Sequence, residues 1–237
     1  MHDRAYVPDP LQPGKLTLGG DEARHLARVR RAEVGDLVDL FDGQGAAYSA
    51  RIVGLGKERV DLEVLPEPIP DRIPVPRLTL ATAIPKGDRI DWLVEKATEL
   101  GVDRLVPLVT TRSVVDPRST KLDRLRRTVI EACKQCGRNR LMKIDAPTPW
   151  AEFARSNAGA TRLLADPGGV NVATLLEPFP TDACLAIGPE GGFTDEEVKL
   201  AGSLGWQSIT LGPTILRIET AGLVGAASIF NSFGRPR

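Results

Sequence analysis

Residues 185–222 read LAIGPEGGFTDEEVKLAGSLGWQSITLGPTILRIETAG, and this stretch decides the fold of the chain. It begins with a short apolar run, residues 185–187, that stops at the glycine-rich segment 188–192, a pattern typical of a buried strand ending in a loop. Thr194 is followed three residues later by Glu197, which is the capping-box signature of a helix start. The stretch therefore predicts a strand, a glycine loop and a helix.

A second strand, residues 208–211, runs into a second irregular loop, residues 212–217. Open α/β sheets bind ligands where loops leave neighbouring strand ends, so the two loops predict a ligand crevice. Most strand-to-helix turns contain glycine and bind nothing. Neither standard phosphate-loop pattern, G-x-G-x-x-G or G-x-x-x-x-G-K-[ST], occurs in the chain. The glycines alone therefore predict a crevice but not its ligand.

The composition is that of an ordinary globular protein, with 237 residues, 42% hydrophobic and 26% charged. No apolar run approaches the roughly 20 residues of a membrane-spanning helix, and the amino terminus has no apolar core of a secretory signal. The 3 cysteines are an odd number, which favours reduced thiols. We therefore expect a cytoplasmic protein without a membrane partner.

The formal net charge is zero, but its distribution is uneven. Residues 1–70 contain 9 basic and 12 acidic side chains, a net charge of −3, whereas residues 112–143 contain 10 basic and 3 acidic side chains, a net charge of +7. A basic segment on a neutral protein is typical of phosphate binding. The alternative is a solvated helix whose counter-charges come from elsewhere in the fold, and charge alone does not decide between them.

The pattern of the chain predicts two domains. Residues 1–70 contain short strand-like runs at 37–41, 46–53 and 60–65, with one short helix before them, which indicates a small barrel. Five prolines fall within residues 66–76, and we place a linker at 71–76. From residue 77 onward strands and helices alternate, which predicts an α/β fold with a parallel sheet covered on both faces.

Several separate motifs resemble the RsmE family of ribosomal RNA methyltransferases, of the SPOUT class. They are IGPEGGFTDEEV with LGPTILRIETAG, KGDRIDWLVEKATELGVDRLVPLVTTRSVV at 86–115, and EACKQCGRNR at 131–140. The similarity covers nearly the whole chain. One position departs from the family pattern L-G-x-R-I-L-R-x-E-T-A, because Thr214 stands where its first arginine is expected.

The resemblance implies a PUA-like RNA-binding β-barrel over residues 1–70 and a SPOUT methyltransferase domain with a trefoil knot over 77–237. It implies a homodimer that binds S-adenosylmethionine and 16S ribosomal RNA or the small subunit. The implied cofactor-binding residues are Thr82, Ile187, Gly188, Pro189, Glu190, Gly191, Gly192, Leu211, Gly212, Ile215, Leu216 and Arg217. The predicted RNA-binding residues are Arg24, Arg28, Arg30, Arg31, Arg124, Arg127, Arg138 and Arg140.

The implied activity is methylation of N3 of a uridine in small-subunit ribosomal RNA, for which the sulfonium leaving group requires no metal. In this interpretation Glu219 accepts the N3 proton and Arg217 stabilises charge on the uracil oxygens. A salt bridge between Arg217 and Glu219 that merely orders the loop is the alternative. Methylation of a ribose 2′-hydroxyl or another base, and a non-catalytic RNA-binding protein, are the alternative functions.

The remaining reactive side chains give weaker signals. Cys133 and Cys136 have the spacing of half a zinc site, but only Cys184, His2 and His25 are available to complete it, at no ligand-like spacing. Both cysteines also fall on the apolar stripe of a predicted helix. We therefore expect core packing and no metal.

Overall fold

The computed structural model describes residues 3–29, 32–71, 76–115, 122–156, 160–174 and 181–233. The chain divides into two units, Met1–Arg72 with Ile130–Leu141, and Ile73–Val129 with Met142–Arg237. The sequence suggests two contiguous domains, 1–70 and 77–237. The structure differs in that residues 130–141 belong to the first unit. Residues 72–75 of the predicted linker lie outside the described residues.

The first unit is built on a mixed five-stranded sheet. Its elements are β1 (Asp3–Tyr6), β2 (Gly14–Gly19), α1 (Gly20–Arg24) continued by a π-helical turn (His25–Val29), β3 (Leu37–Phe41), β4 (Ala47–Leu55) and β5 (Arg59–Pro68). The strand order is β1-β3-β4-β5-β2, with β1 parallel to β3 and the other pairs antiparallel. The structure confirms the predicted short helix and the three predicted strands, which are β3, β4 and β5. Strands β1 and β2 were not predicted.

The segment that returns to the first unit is held there by a buried amide. Asn139 is 2% exposed, and its Nδ2 donates to the carbonyl oxygens of Ile69 and Pro70 at 3.3 and 3.4 Å. Its Oδ1 accepts a hydrogen bond of 2.8 Å from Arg4, whose guanidinium lies over the Phe41 ring. A buried amide with these partners stabilises one arrangement of the three segments.

The second unit contains a seven-stranded sheet in which every recorded pair is parallel. Its elements are β6 (Arg77–Thr82), α2 (Arg89–Leu100), β7 (Arg104–Val109), α3 (Leu122–Cys136), β8 (Lys143–Ile144), β9 (Thr148–Pro149), α4 (Trp150–Ser156), β10 (Thr161–Asn171), β11 (Asp182–Ile187), α5 (Asp195–Ser203), β12 (Gln207–Thr210) and α6 (Ile218–Phe233). Helix α3 runs on into the first unit from Ile130. The strand order is β12-β10-β11-β6-β7-β8, with β9 beside β7, and it confirms the predicted parallel sheet.

Helices cover both faces of this sheet, as the uninterrupted apolar strands predict. Alternate residues of a strand point to opposite faces. Ala81 and Ala186 pack in one core with α4 and α5. On the other face the glycines of α6 let the helix approach closely, because a Cβ atom at Gly225 would lie 2.5 Å from Leu185 and one at Gly222 would lie 3.2 Å from Leu93. The small residues of α6 thus pack against the sheet and α2.

The apolar stripe of α3 is also confirmed, with Leu125, Val129, Ala132 and Cys133 buried. In the described part of the chain no cluster of His, Cys, Asp and Glu could hold a metal ion. None of the described helices is long and apolar enough to cross a membrane.

Candidate functional site

A cleft of about 730 Å³ opens in the second unit where β11 and β12 end, next to the irregular middle of β10. Its volume lies within the range of about 300–1,000 Å³ that is usual for small-molecule sites. Three loops and the start of α6 form its walls. The lining residues are Ala165, Asp166, Pro167, Ile187, Gly188, Pro189, Glu190, Gly191, Gly192, Phe193, Thr210, Leu211, Gly212, Pro213, Thr214, Ile215, Leu216, Ile218 and Ala221.

The structure brings most of the predicted cofactor residues together in this cleft. Thr82 and Arg217 are the exceptions, since neither lines it. Thr82 is fully buried at the end of β6, beside Ile187 of β11, and its hydroxyl donates to the Ala83 carbonyl oxygen. Arg217 is exposed, just before α6.

The two glycine-rich loops present bare backbone to the cleft. Gly192 and Gly212 have φ values of +68° and +134°, which favour glycine, and a Cβ atom at either would meet nothing within 4 Å. The lining combines this backbone with apolar side chains and the carboxylates of Asp166 and Glu190. Such a surface can accept an amphipathic ligand that has both apolar and hydrogen-bonding parts.

An aromatic cluster supports the first glycine loop from below. The rings of Trp150 and Phe193 are 4.8 Å apart, and those of Trp150 and Trp206 are 5.1 Å apart. Phe193 fills the space beneath Gly188, where a Cβ atom would lie 3.1 Å from its ring. The indole nitrogen of Trp150 donates to the Glu197 carbonyl oxygen at 3.2 Å. This packing fixes the loop before any ligand binds.

Helix α5 begins at the predicted capping box. The Thr194 hydroxyl accepts from the Glu197 amide at 3.2 Å, and the Glu197 carboxylate accepts from the Thr194 amide at 2.8 Å. The same carboxylate accepts from the Thr111 amide at 2.9 Å. Arg112 donates to the carbonyl oxygens of Gly191 and Phe193 at 2.7 and 3.3 Å. The loop after β7 therefore braces the glycine loop.

Glu219 is a buried carboxylate in the first turn of α6, 5% exposed. Its Oε1 atom lies 3.3 Å from Nη1 of Arg89, and its Oε2 atom is buried without a hydrogen-bond partner among the described residues. Its neighbours Ile218 and Ala221 line the cleft. Within the described chain no ion pair joins Glu219 to Arg217, so the carboxylate pairs with Arg89 in place of the expected arginine.

The predicted RNA-binding arginines lie in different environments. Arg124 pairs with Asp91 at 2.5 Å, Arg140 with Asp71 at 2.5 Å and Arg24 with Asp21 at 2.6 Å. The backbone carbonyl of Arg138 accepts a hydrogen bond from Arg4. Arg127 is exposed, with no ion pair among the described residues. The side chain of Arg28, and Arg30 and Arg31 entirely, lie outside the described residues. Part of the +7 charge is thus neutralised within the fold.

Sequence reasoning missed three residues around the cleft. Asp166 lies within β10 where its register shifts, an irregularity that the signals Asp-Pro-Gly-Gly could have indicated. Arg112 and Arg89 belong to the quoted block at 86–115. Their partners, Gly191 and Glu219, follow 79 and 130 residues later, and no local sequence signal indicates either contact.

Comparisons with known proteins agree with this architecture. The family described as RNA methyltransferase domain matches residues 71–230, and the family described as RNA methyltransferase PUA domain matches residues 18–65. The chain is 34% identical to the ribosomal RNA small subunit methyltransferase E of Synechocystis, over 94% of this chain and 75% of that protein. It is 31% identical to the protein of the same name from Rickettsia conorii, over 96% and 95% of the two chains.

Among solved structures, the chain is similar to a ribosomal RNA small subunit methyltransferase E from Neisseria gonorrhoeae that was crystallised bound to S-adenosyl methionine. The TM-score is 0.90 at 32% identity, and the match covers 99% of both chains. The order of elements, the cleft at the strand ends and these full-length matches lead to one assignment. The chain belongs to the ribosomal RNA small subunit methyltransferase E family.

Proposed function

We propose that the protein transfers a methyl group from S-adenosylmethionine to N3 of a specific uridine in 16S ribosomal RNA. The observation that carries the proposal is the cleft itself, whose wall includes Ile218 and Ala221, while Glu219 between them is a buried carboxylate with one oxygen unpartnered among the described residues. An RNA methyltransferase needs both features, a cofactor site and an acceptor for the proton that leaves the substrate nitrogen.

The residues of the cleft fit S-adenosylmethionine. Its nucleoside and amino-acid parts require apolar walls with a few polar groups, and the cleft supplies Leu211 and Ile215, the open backbone at Gly192 and Gly212, and the carboxylate of Asp166. When bound, the cofactor supplies a methyl group on a sulfonium sulfur, which is an activated leaving group.

The protein's own contribution is to orient the uracil and to remove a proton. Uracil N3 carries hydrogen and is a poor nucleophile, so the new N3–methyl bond forms only as the N3–H proton is lost. Glu219 accepts that proton at Oε2, the atom for which the described part of the chain offers no hydrogen-bond partner. Arg217, exposed and without a described ion pair, stabilises negative charge that develops on the uracil oxygens. The base must leave its stack to reach the cleft.

RNA recognition is assigned to the predicted PUA-like domain, residues 1–70, together with the basic residues of 112–143. Arg28, Arg30, Arg31 and Arg127 are the proposed phosphate contacts, because Arg24, Arg124 and Arg140 already have carboxylate partners. The catalytic part is the SPOUT domain, residues 77–237, joined through the linker 71–76. Because the substrate is ribosomal RNA, the protein acts in the cytoplasm.

We further propose closure of the first sheet into a barrel, a trefoil knot around residues 188–217, and a homodimer. Strand β12 lies at the sheet edge, yet the chain that leaves it returns as α6 to pack on β6 and β11, which is the kind of path a knot requires. The exposed apolar side chains Trp92 and Ile215, 47% and 90% exposed, favour burial by a second copy. Light scattering of the purified protein tests the dimer.

Calorimetric titration with S-adenosylmethionine tests the cofactor site. Gly191→Leu should weaken binding by roughly 10-fold or more, which is about 1.4 kcal/mol, because its side chain would start 3.3 Å from Arg112 and displace the glycine loop. Gly202→Leu, on the exposed face of α5, is the matched control and should bind normally. Equal affinities for the two variants would contradict the assignment of this loop.

Single-turnover rates of Glu219→Gln across a pH series test the chemistry. Loss of a general base costs about 10²- to 10⁴-fold, and the loss should shrink as pH approaches the ionisation of the uridine itself. A wild-type rate at every pH would remove Glu219 from the mechanism. A 2′-O-methylated product, or no methylated product at all, would favour the other SPOUT target or the non-catalytic RNA-binding protein.

A further inference from the structure

The contact between Arg89 and Glu219 restricts both side chains. Arg89 lies at the start of α2, where its Nε donates to the Lys86 carbonyl oxygen at 3.0 Å. Its Nη1 reaches Glu219 Oε1 at 3.3 Å. The guanidinium is thus attached at one edge to the backbone of its own loop and at the other to the carboxylate. A planar guanidinium held at two points is a fixed donor, which a lysine ammonium is not.

The unpartnered oxygen of Glu219 needs an explanation. A buried polar atom without a hydrogen bond costs free energy, and native proteins keep few of them. Arg89 occupies Oε1 and leaves Oε2 open, although Arg89 is only about one-third exposed and could have supplied further donors. The contact therefore fixes which carboxylate oxygen is free and prevents the carboxylate from turning.

We propose that Arg89 is a positioning residue for methyl transfer: it holds the Glu219 carboxylate so that Oε2 accepts the proton from the target nitrogen. This inference rests on the proposed role of Glu219. Arg89 does not line the cleft, and its contribution passes through Glu219. An arginine that served only as a stabilising ion pair would affect unfolding and leave the rate of the folded enzyme unchanged.

A double-mutant cycle tests this dependence. Single-turnover methyl transfer to 16S ribosomal RNA is measured at saturating S-adenosylmethionine for the wild type, Arg89→Gln, Glu219→Gln and the double variant. We expect Arg89→Gln to lower the rate by up to about 10²-fold, the typical loss for a group misplaced by about 1 Å. In the Glu219→Gln background the same change should lower the rate less than about 2-fold, because the two residues act as one unit.

Two further measurements separate positioning from folding and binding. Calorimetric affinity for S-adenosylmethionine and the KM for RNA should stay unchanged in Arg89→Gln, so that the loss appears in kcat alone. Arg77→Gln is the control for loss of an ion pair far from the cleft, since Arg77 pairs with Asp182 at 2.9 Å at the opposite ends of the strands, in a more exposed position than Arg89. Its rate should equal that of the wild type.

Removal of Arg89 leaves a buried carboxylate unpaired and could unfold the protein. Arg89→Lys retains the charge and gives the same test: a partial loss of rate that disappears in the Glu219→Gln background. A wild-type rate in folded Arg89→Gln, or losses that multiply in the double variant, would overturn the positioning role. A wild-type rate in Glu219→Gln would instead show that the proposed proton acceptor is wrong, and the role of Arg89 would fall with it.

Discussion

Strands β10 and β12 approach each other so closely at Gly169 that adding a single methyl group there should strongly destabilise the protein. Gly169 lies in β10, where the pairing of β10 with β12 shifts register between Ala165 and Val170. A Cβ atom at Gly169 would lie 2.4 Å from the backbone nitrogen of Ile209 and 2.5 Å from its carbonyl carbon. Gly169→Ala must therefore move one strand away from the other.

The magnitude follows from the overlap. Nonbonded atoms rest at about 3.5–4.0 Å, so the methyl group intrudes by about 1 Å. Overpacking usually costs about 1–3 kcal/mol, and backbone atoms cannot rotate away as a side chain can, so we expect about 3 kcal/mol. For a protein of this size that corresponds to a decrease of about 6–12 °C in the unfolding midpoint. Because the displaced part of β10 includes Asp166, which lines the cleft, affinity for S-adenosylmethionine should also decrease.

Thermal unfolding and calorimetric titration of the variant measure both effects. Gly202→Ala is the control, because Gly202 lies on the exposed side of α5 and a Cβ atom there meets nothing within 4 Å. That substitution should be neutral or stabilising by up to about 1 kcal/mol. If Gly169→Ala unfolds at the wild-type midpoint and binds the cofactor with wild-type affinity, the close packing of β10 on β12 is refuted.

Three further expectations concern separate parts of the molecule. Thr194→Ala should destabilise the protein by about 1 kcal/mol in denaturant titrations, because it removes the cap of α5; a change within error would show that the cap contributes nothing. Burial raises the pKa of the Cys184 thiol to about 11, whereas the pKa of a thiol in the unfolded chain is about 8.5. The free energy of unfolding should therefore contain a component that is lost as pH rises between these values, and Cys184→Ala should lack it. Arg127→Gln should reduce the slope of log RNA affinity against log salt by about 0.7–0.9, whereas Arg155→Gln, on α4, should leave it unchanged; equal slopes would assign Arg127 to the solvated surface.

Local signals in the sequence predicted local structure well. The capping box at Thr194 marks the start of α5 that the structure has. The short runs at 185–187 and 208–211, each followed by a glycine loop, located β11 and β12. Strand β1 was missed because four residues carry little pattern and their partner in β3 lies 35 residues away.

The lining of the cleft could be predicted where it comes from continuous segments, whereas contacts between distant segments could not. The glycine loops at 188–192 and 212–216 line the cleft as expected. The contact of Glu219 with Arg89 joins residues 130 apart, so spacing alone favoured the neighbouring Arg217. Likewise, Arg140 and Asp71 are 69 residues apart, and their pairing turns a predicted free cation into a neutralised one.

The nucleosides of 16S ribosomal RNA provide the most direct test of the proposed activity. RNA from cells with and without this protein is digested and mapped by mass, and the purified protein with S-adenosylmethionine is then added to the unmodified RNA. The proposed function predicts one N3-methyluridine that is absent without the protein and restored by its addition. An unchanged nucleoside map, or a methyl group on a ribose or another base, would contradict it.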